Sequence, residues 1–151
     1  MLKKLLGALW RGAPKSLRRW SVRLVEPRFT VTAGGVVLDA EGRVLLLEHV
    51  FRMGSGWGIP GGFLKRGEQP EEALRRELLE EAGLELELVE LAFVRTLRKA
   101  SQVEIIFRCR ARGPARQPQS LEIKRTQWFA LSDLPEGLAR DQRRLIARAL
   151  A

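Results

Sequence analysis

The stretch from Gly62 to Leu84, GFLKRGEQPEEALRRELLEEAGL, constrains the fold of this chain more than any other. Pro70 suits the first turn of a helix, where an N–H would lack a partner anyway, and Gly83 suits the left-handed residue that ends one. Together they predict a helix over 70–82. Within it Leu74, Leu78 and Ala82 recur at i, i+4 and i+8, an apolar stripe that has to be buried against another layer. Beside the stripe, Glu77, Glu80 and Glu81 fall within an arc of roughly 100° on an ideal helix. Carboxylates so close destabilise a helix by about a few tenths of a kcal/mol per pair. A hard divalent cation would offset that repulsion, and Mg²⁺ favours such oxygen ligands while keeping exchangeable waters. An ordinary acidic, solvent-facing flank would look the same, so the helix alone leaves both readings open.

The flanking sequence supplies the layer that the helix needs. FTVTAGGVVLDA (29–40) is rich in β-branched residues and reads as a strand; Ala40-Glu41-Gly42 makes a turn into a second strand, RVLLLEHV (43–50). MGSGWGIPGG (53–62) holds too much glycine for a regular element and reads as a loop. LELELVELAFVRTL (84–97), VEIIFRCRA (103–111) and TQWFAL (126–131) read as strands, with a loop over 113–120. Asp141 to Ala151 reads as a closing helix with Leu145, Ile146 and Leu150 on one stripe. Strands mixed with at least two helices predict an α/β sheet covered by helices. A chain of 151 residues is long enough for one domain with its own core.

The net charge of +9 is unevenly spread. Residues 1–26 carry Lys3, Lys4, Arg11, Lys15, Arg18, Arg19 and Arg23 against the single acid Glu26, so +6 lies there and +3 in the rest. Leu2, Leu5, Leu6 and Leu9 form one helical stripe, and Leu17, Trp20 and Leu24 a second, with Arg18, Arg19 and Arg23 elsewhere on the helix. Residues 1–27 are therefore expected to be a basic, amphipathic helical extension, and 28–151 the domain proper. The stripes would pack on the domain or across a homodimer, and the charge would serve solubility or a weak contact with a polyanion, RNA or anionic lipid. Leu5 to Trp10 is too short for the apolar region of a secretory signal, and no apolar run reaches the length of a transmembrane segment. A cytoplasmic location is expected. The lone cysteine, Cys109, alternates onto one strand face with Val103, Ile105 and Phe107 and reads as a buried core thiol.

The whole segment 62–84 resembles the Nudix box, G-x5-E-x7-R-E-U-x-E-E-x-G-U with U a bulky aliphatic: Gly62, Glu68, Arg76, Glu77, Leu78, Glu80, Glu81, Gly83 and Leu84 fill every specified position. WGIPGG (57–62) resembles the usual lead-in of the same family. The resemblance implies an α/β/α sandwich with a mixed sheet and a loop–helix–loop that holds Mg²⁺ or Mn²⁺. It implies Glu77, Glu80 and Glu81 as metal ligands, with the Gly61 carbonyl as a further one and Glu68 at or near the metal. Arg76 would orient a neighbouring carboxylate by charge pairing. Glu122, six residues before Trp128, resembles the acidic residue that precedes a W-F strand in this family, and would be a metal ligand or the general base; Glu104 is a weaker candidate.

The activity implied is hydrolysis of a diphosphate linkage in a nucleoside diphosphate derivative, by water attack at phosphorus. Two alternatives stand beside it: an RNA 5′-end pyrophosphohydrolase, favoured by the basic N-terminus, and a nucleotide-sensing module without turnover, disfavoured by the intact glutamate set. The chain has no tyrosine, and Glu85–Arg112 has no proline, so two substrate signatures of the family are missing. Arg52 and Lys65 flank the box and could bind phosphate, and Trp57 could stack on a base or only pack its loop. His49, the single histidine, reads as a satisfied structural residue rather than a catalytic one.

Overall fold

Val44, Leu45, Leu46 and Leu47 are all fully buried, which a strand achieves only when both faces of its sheet are covered. The computed structural model describes residues 3, 7, 10–52, 54–115 and 120–151. Among these the strands are β1 (Thr30–Leu38), β2 (Val44–His49), β3 (Trp57–Gly58), β4 (Gly61–Phe63), β5 (Glu85–Leu97), β6 (Gln102–Arg112) and β7 (Ile123–Phe129). The helices are α1 (Lys15–Val25), α2 (Pro70–Ala82) and α3 (Arg140–Leu150), with a 3₁₀ turn at Arg98–Ala100. The strands form one seven-stranded mixed sheet. β1 runs parallel to β6, and the other pairs are antiparallel.

Period-two alternation sorts the core into two halves. Val37, Leu45, Leu47, Phe107 and Cys109 point to one face and bury Ala73, Leu74, Leu78 and Ala82 of α2. Val36, Val44, Leu46 and Ile106 point to the other and bury Leu145, Ile146 and Ala149 of α3. The expected α/β/α sandwich is thus the observed architecture. Cys109 is buried, and burial pushes its thiol up to about 12.

The helix that carries the glutamates begins and ends as expected. Glu72 accepts a hydrogen bond from Gln69 N at 2.9 Å, one half of a capping box, with Pro70 in the first turn. Gly83 takes the left-handed conformation, φ 56°, and its N–H together with that of Leu84 closes on the carbonyls of Leu79 and Leu78.

Two expectations need correction. The glycine-rich stretch 53–62 is not all loop: β3 pairs with β2 at Leu47 and Glu48, and β4 pairs with β1 from Thr32 to Gly34. β1 and β2 are paired only where they meet, at Leu38 and Val44, and the backbone from Trp57 to Phe63 crosses the gap between them. Pairing to two diverging strands makes this segment regular despite its glycines. The strand read as 126–131 spans Ile123–Phe129, because β2 offers partners as far as His49. The stripe Leu2–Leu5–Leu6–Leu9 lies outside the described residues. The second stripe is on α1 as expected, but Leu17, Trp20 and Leu24 are exposed rather than packed on the domain.

Truncating Leu78, fully buried between α2 and the sheet, is expected to cost about 3 kcal/mol by urea unfolding of Leu78→Ala. Leu79→Ala, on the exposed side of the same helix, is expected to change stability by less than about 0.5 kcal/mol.

Candidate active site

The glutamate face of α2 lies against the backbone of β4 because β4 has almost no side chains. A Cβ on Gly62 would collide with the Glu77 carboxylate, and one on Gly61 with the Ala33 carbonyl across the β1–β4 pair. Gly61 also sits at φ 146°, a conformation that L side chains rarely adopt. The sheet edge and the acidic helix can therefore approach to backbone contact at this one place.

Arg76 organises most of the acids. Its Nε donates to Glu68 Oε1 at 2.8 Å and its Nη2 to Glu68 Oε2 at 3.1 Å. Its Nη1 donates to Glu77 Oε1 at 2.7 Å and to Glu80 Oε2 at 3.3 Å, and Nη2 also reaches the Phe63 carbonyl at 3.3 Å. Lys65 N donates to Glu68 Oε2 at 2.8 Å. The Arg76 hydrogen bonds, then that backbone donor, hold the Glu68 carboxyl down to about 2. Both Glu68 oxygens thus accept hydrogen bonds that tie the loop to the helix. Lys65 lies 3.8 Å from Glu80, whose side chain is half exposed.

Glu81 is the exception. It is the one buried charged residue among those described, 7% exposed, and its Oε2 is buried with no hydrogen-bond partner. Burial and then the charge of Glu77 push its carboxyl up to about 7; Glu122 adds to this, while a backbone hydrogen bond from Gly61 and the charge of Arg52 oppose it. The fold therefore brings Glu77, Arg52 and the distant Glu122 within electrostatic reach of Glu81, with the Gly61 backbone at hydrogen-bonding distance from it. Glu122 stands just before β7, where its carbonyl accepts from Val50 N at 2.8 Å.

Gly61 and Gly62 also line a cleft of about 210 Å³. Its wall includes Arg52, Phe63, Gln102, Glu104 and Gln142. The Arg52 guanidinium rests on Gly58, where any side chain would displace it. Gln102 donates to Thr32 Oγ1 at 2.8 Å, and Gln142 accepts from Ile59 N at 3.0 Å, which ties the first turn of α3 to the segment crossing between β2 and β1. Glu104 is held by Arg95 at 2.5 Å, and Arg95 also makes a bidentate pair with Asp141 at 2.8 and 2.7 Å.

Three candidates from the sequence thus change standing. Trp57 is buried in the α3-side core, edge-on to Phe129 at 5.1 Å between ring centroids, and its ring does not line the cleft, so it packs its loop rather than stacking on a base. His49 is not satisfied: its Nε2 is buried without a partner, and burial, then the Arg52 charge, lowers its pKa to about 4. Glu104 belongs to the cleft wall, bound to Arg95. Phe63, Gln102 and Gln142 escaped the sequence reading. Only the exposed aromatic ring following Gly62 could have drawn notice; the glutamines have meaning only once α3 is docked.

The family model of the NUDIX domain matches residues 28–149. A MutT-like protein of Streptomyces ambofaciens is 32% identical over 114 residues, covering 75% of this chain and 71% of that protein. An RNA pyrophosphohydrolase of Teredinibacter turnerae is 32% identical over 113 residues, covering 75% of this chain and 62% of its own length. Among solved structures, a MutT NUDIX hydrolase from Burkholderia pseudomallei superposes with a TM-score of 0.69 at 29% identity, covering 80% of this chain and 98% of that one.

The Glu81 environment has a measurable consequence. With its carboxyl near 7 in the folded chain against an ordinary 4.5, the folded state holds more protons than the unfolded one between those values. Its contribution to metal-free stability therefore falls as pH rises through that window, by of order 3 kcal/mol in full. His49 acts in the opposite sense, since its folded pKa near 4 lies below an ordinary 6.5, so stability gains with pH between those values. Unfolding of wild type and Glu81→Gln in chelator isolates the first effect. The wild-type minus variant difference is expected to fall from pH 4.5 to 7; a difference that rises would refute this environment for Glu81.

Proposed function

We propose that this chain, which belongs to the NUDIX family of hydrolases acting on pyrophosphate bonds, cleaves a diphosphate linkage in a nucleoside diphosphate derivative by water attack at phosphorus. The observation that carries this reading is the buried, unpartnered Glu81 oxygen, under the charge of Glu77 and beside Gly61, whose backbone also lines the cleft.

The donor set suits a hard divalent cation, Mg²⁺ or Mn²⁺. Protein groups alone leave Glu81 short of a partner and disfavour its charged form, the deficiency that a cation bound by oxygens corrects. Among the described residues no three carboxylates stand together in a ready ligand set, and Arg76 pairs with Glu77 and, with Lys65, Glu80. Glu81, Glu77 and Glu80 are the residues to hold the ion, with the Gly61 backbone beside them. When bound, it would neutralise the diphosphate charge and lower the pKa of a coordinated water.

The chain's own groups supply the rest. Arg76 and Glu68 hold the loop and helix in register. Arg52 and Lys65 attract the diphosphate, and Phe63, Gln102 and Gln142 meet the remainder of the substrate in the cleft. Glu122 accepts the proton from water. The water oxygen forms a bond to phosphorus as the bridging P–O bond breaks, and the leaving phosphate keeps the electron pair. No covalent enzyme intermediate is required.

An RNA 5′-end substrate is a second reading, favoured by the likeness to the Teredinibacter turnerae enzyme and by the basic N-terminal residues. Purified protein with Mg²⁺, offered nucleoside diphosphate derivatives and 5′-triphosphate RNA, separates the two by the products released. Glu80→Gln and Glu81→Gln are expected to lose most turnover, and near-normal rates in both at limiting Mg²⁺ would remove the metal assignment. Glu122→Gln is expected to lower kcat about 100-fold with little change in substrate affinity. An unchanged kcat would return the base to the box glutamates.

A further inference from the structure

Helix α1 turns its large apolar side chains to solvent: Leu17 is 54% exposed, Trp20 61% and Leu24 63%. At i, i+3 and i+7 they form one narrow stripe, within an arc of roughly 60°. The eleven residues, KSLRRWSVRLV, contain one lysine and three arginines and no acid. Positions 15, 18, 19 and 23, all basic, lie on the remaining circumference. Such a helix is marginal alone in water and needs a surface for its apolar stripe.

The charge decides between surfaces. A second copy would set two helices of charge +4 against each other, with no acid on either to pair with the arginines. A nucleic acid would neutralise the charge but leave Leu17 and Leu24 in water. An anionic bilayer meets both demands, because its headgroups pair with the basic positions and its acyl boundary takes up the leucines and the amphipathic indole. We propose that α1 docks this chain on an anionic lipid surface, lying in the interface with Leu17, Trp20 and Leu24 inserted and the basic positions on the remaining circumference held within the field of the anionic headgroups. No described helix is long and apolar enough to cross a membrane.

The test is sedimentation of the full chain with vesicles of phosphatidylglycerol and phosphatidylcholine, against phosphatidylcholine alone. Binding is expected only to the anionic vesicles, and to weaken as salt rises. Neutralising two charges in Lys15→Gln/Arg18→Gln is expected to lower vesicle affinity roughly 30-fold. Trp20→Ser/Leu24→Ser is expected to abolish binding, and both variants are expected to keep the thermal unfolding midpoint of the wild type, which shows an intact domain. Failure of the full chain to sediment at low salt would overturn the proposal, as would undiminished binding by the apolar variant. So would a lipid-free dimer in light scattering that the apolar variant breaks in place of any vesicle binding. RNA binding that depends on the charges but not on Trp20 and Leu24, without vesicle binding, would overturn it in favour of nucleic acid.

Discussion

A helix can press charged side chains against a sheet only where the sheet offers backbone instead of side chains, and in this protein that place is Gly61–Gly62. The Glu77 carboxylate occupies the space where a Gly62 side chain would stand, and Gly61 approaches β1 too closely for any Cβ. The gap exists because β1 and β2 part after a single paired position, and the segment from Trp57 to Phe63 crosses between them. The cleft, the acidic helix face and the first turn of α3 all converge on this crossing. A sheet with fully paired β1 and β2 would have no room for it.

Electrostatics then sets Glu81 apart from Glu68, Glu77 and Glu80. Glu68, Glu77 and Glu80 are drawn to Arg76, whose planar guanidinium can serve several oxygens at once. Those pairs are partly solvated and hold geometry more than they add stability. Glu81 is denied such a partner, and a buried carboxyl without one favours its neutral form. A protein that built this arrangement only for stability would have placed an apolar residue there, as at Leu78 one turn earlier. The unmet demand at Glu81 raises its carboxyl, and under the proposed function it is the demand that a cation would meet.

The two faces of the sheet have unequal duties. The α2 face couples core packing to the carboxylates, because Leu74 and Leu78 anchor the same helix that presents Glu77 and Glu81. The α3 face closes the cleft from the other side: Gln142 fastens the crossing segment, Asp141 steadies Arg95, and Arg148 stacks over Phe93 at 4.0 Å. On helix α1, Leu17, Trp20 and Leu24 are exposed and belong to neither core, and this stripe with the helix's uniform charge is the basis of the proposed lipid contact.

Much of this was legible in the chain alone, because local rules governed it. Pro70 and Gly83 bound α2, alternation identified the long strands, and the spacing of Glu77, Glu80 and Glu81 put three carboxylates on one side of a helix whatever the surroundings. What escaped was everything that depends on two distant segments meeting. The glycine-rich stretch becomes β3 and β4 only through pairing with β1 and β2. Trp57 leaves the candidate site because Phe129, far along the chain, takes its edge. Glu122 comes within electrostatic reach of Glu81 because β7 pairs back on β2, and Gln102 and Gln142 reach the cleft by β6 and α3 docking. Spacing along a helix is set by covalent geometry and can be read from residues, whereas the charge state of Glu81 is set by burial and by neighbours that only the assembled fold brings together.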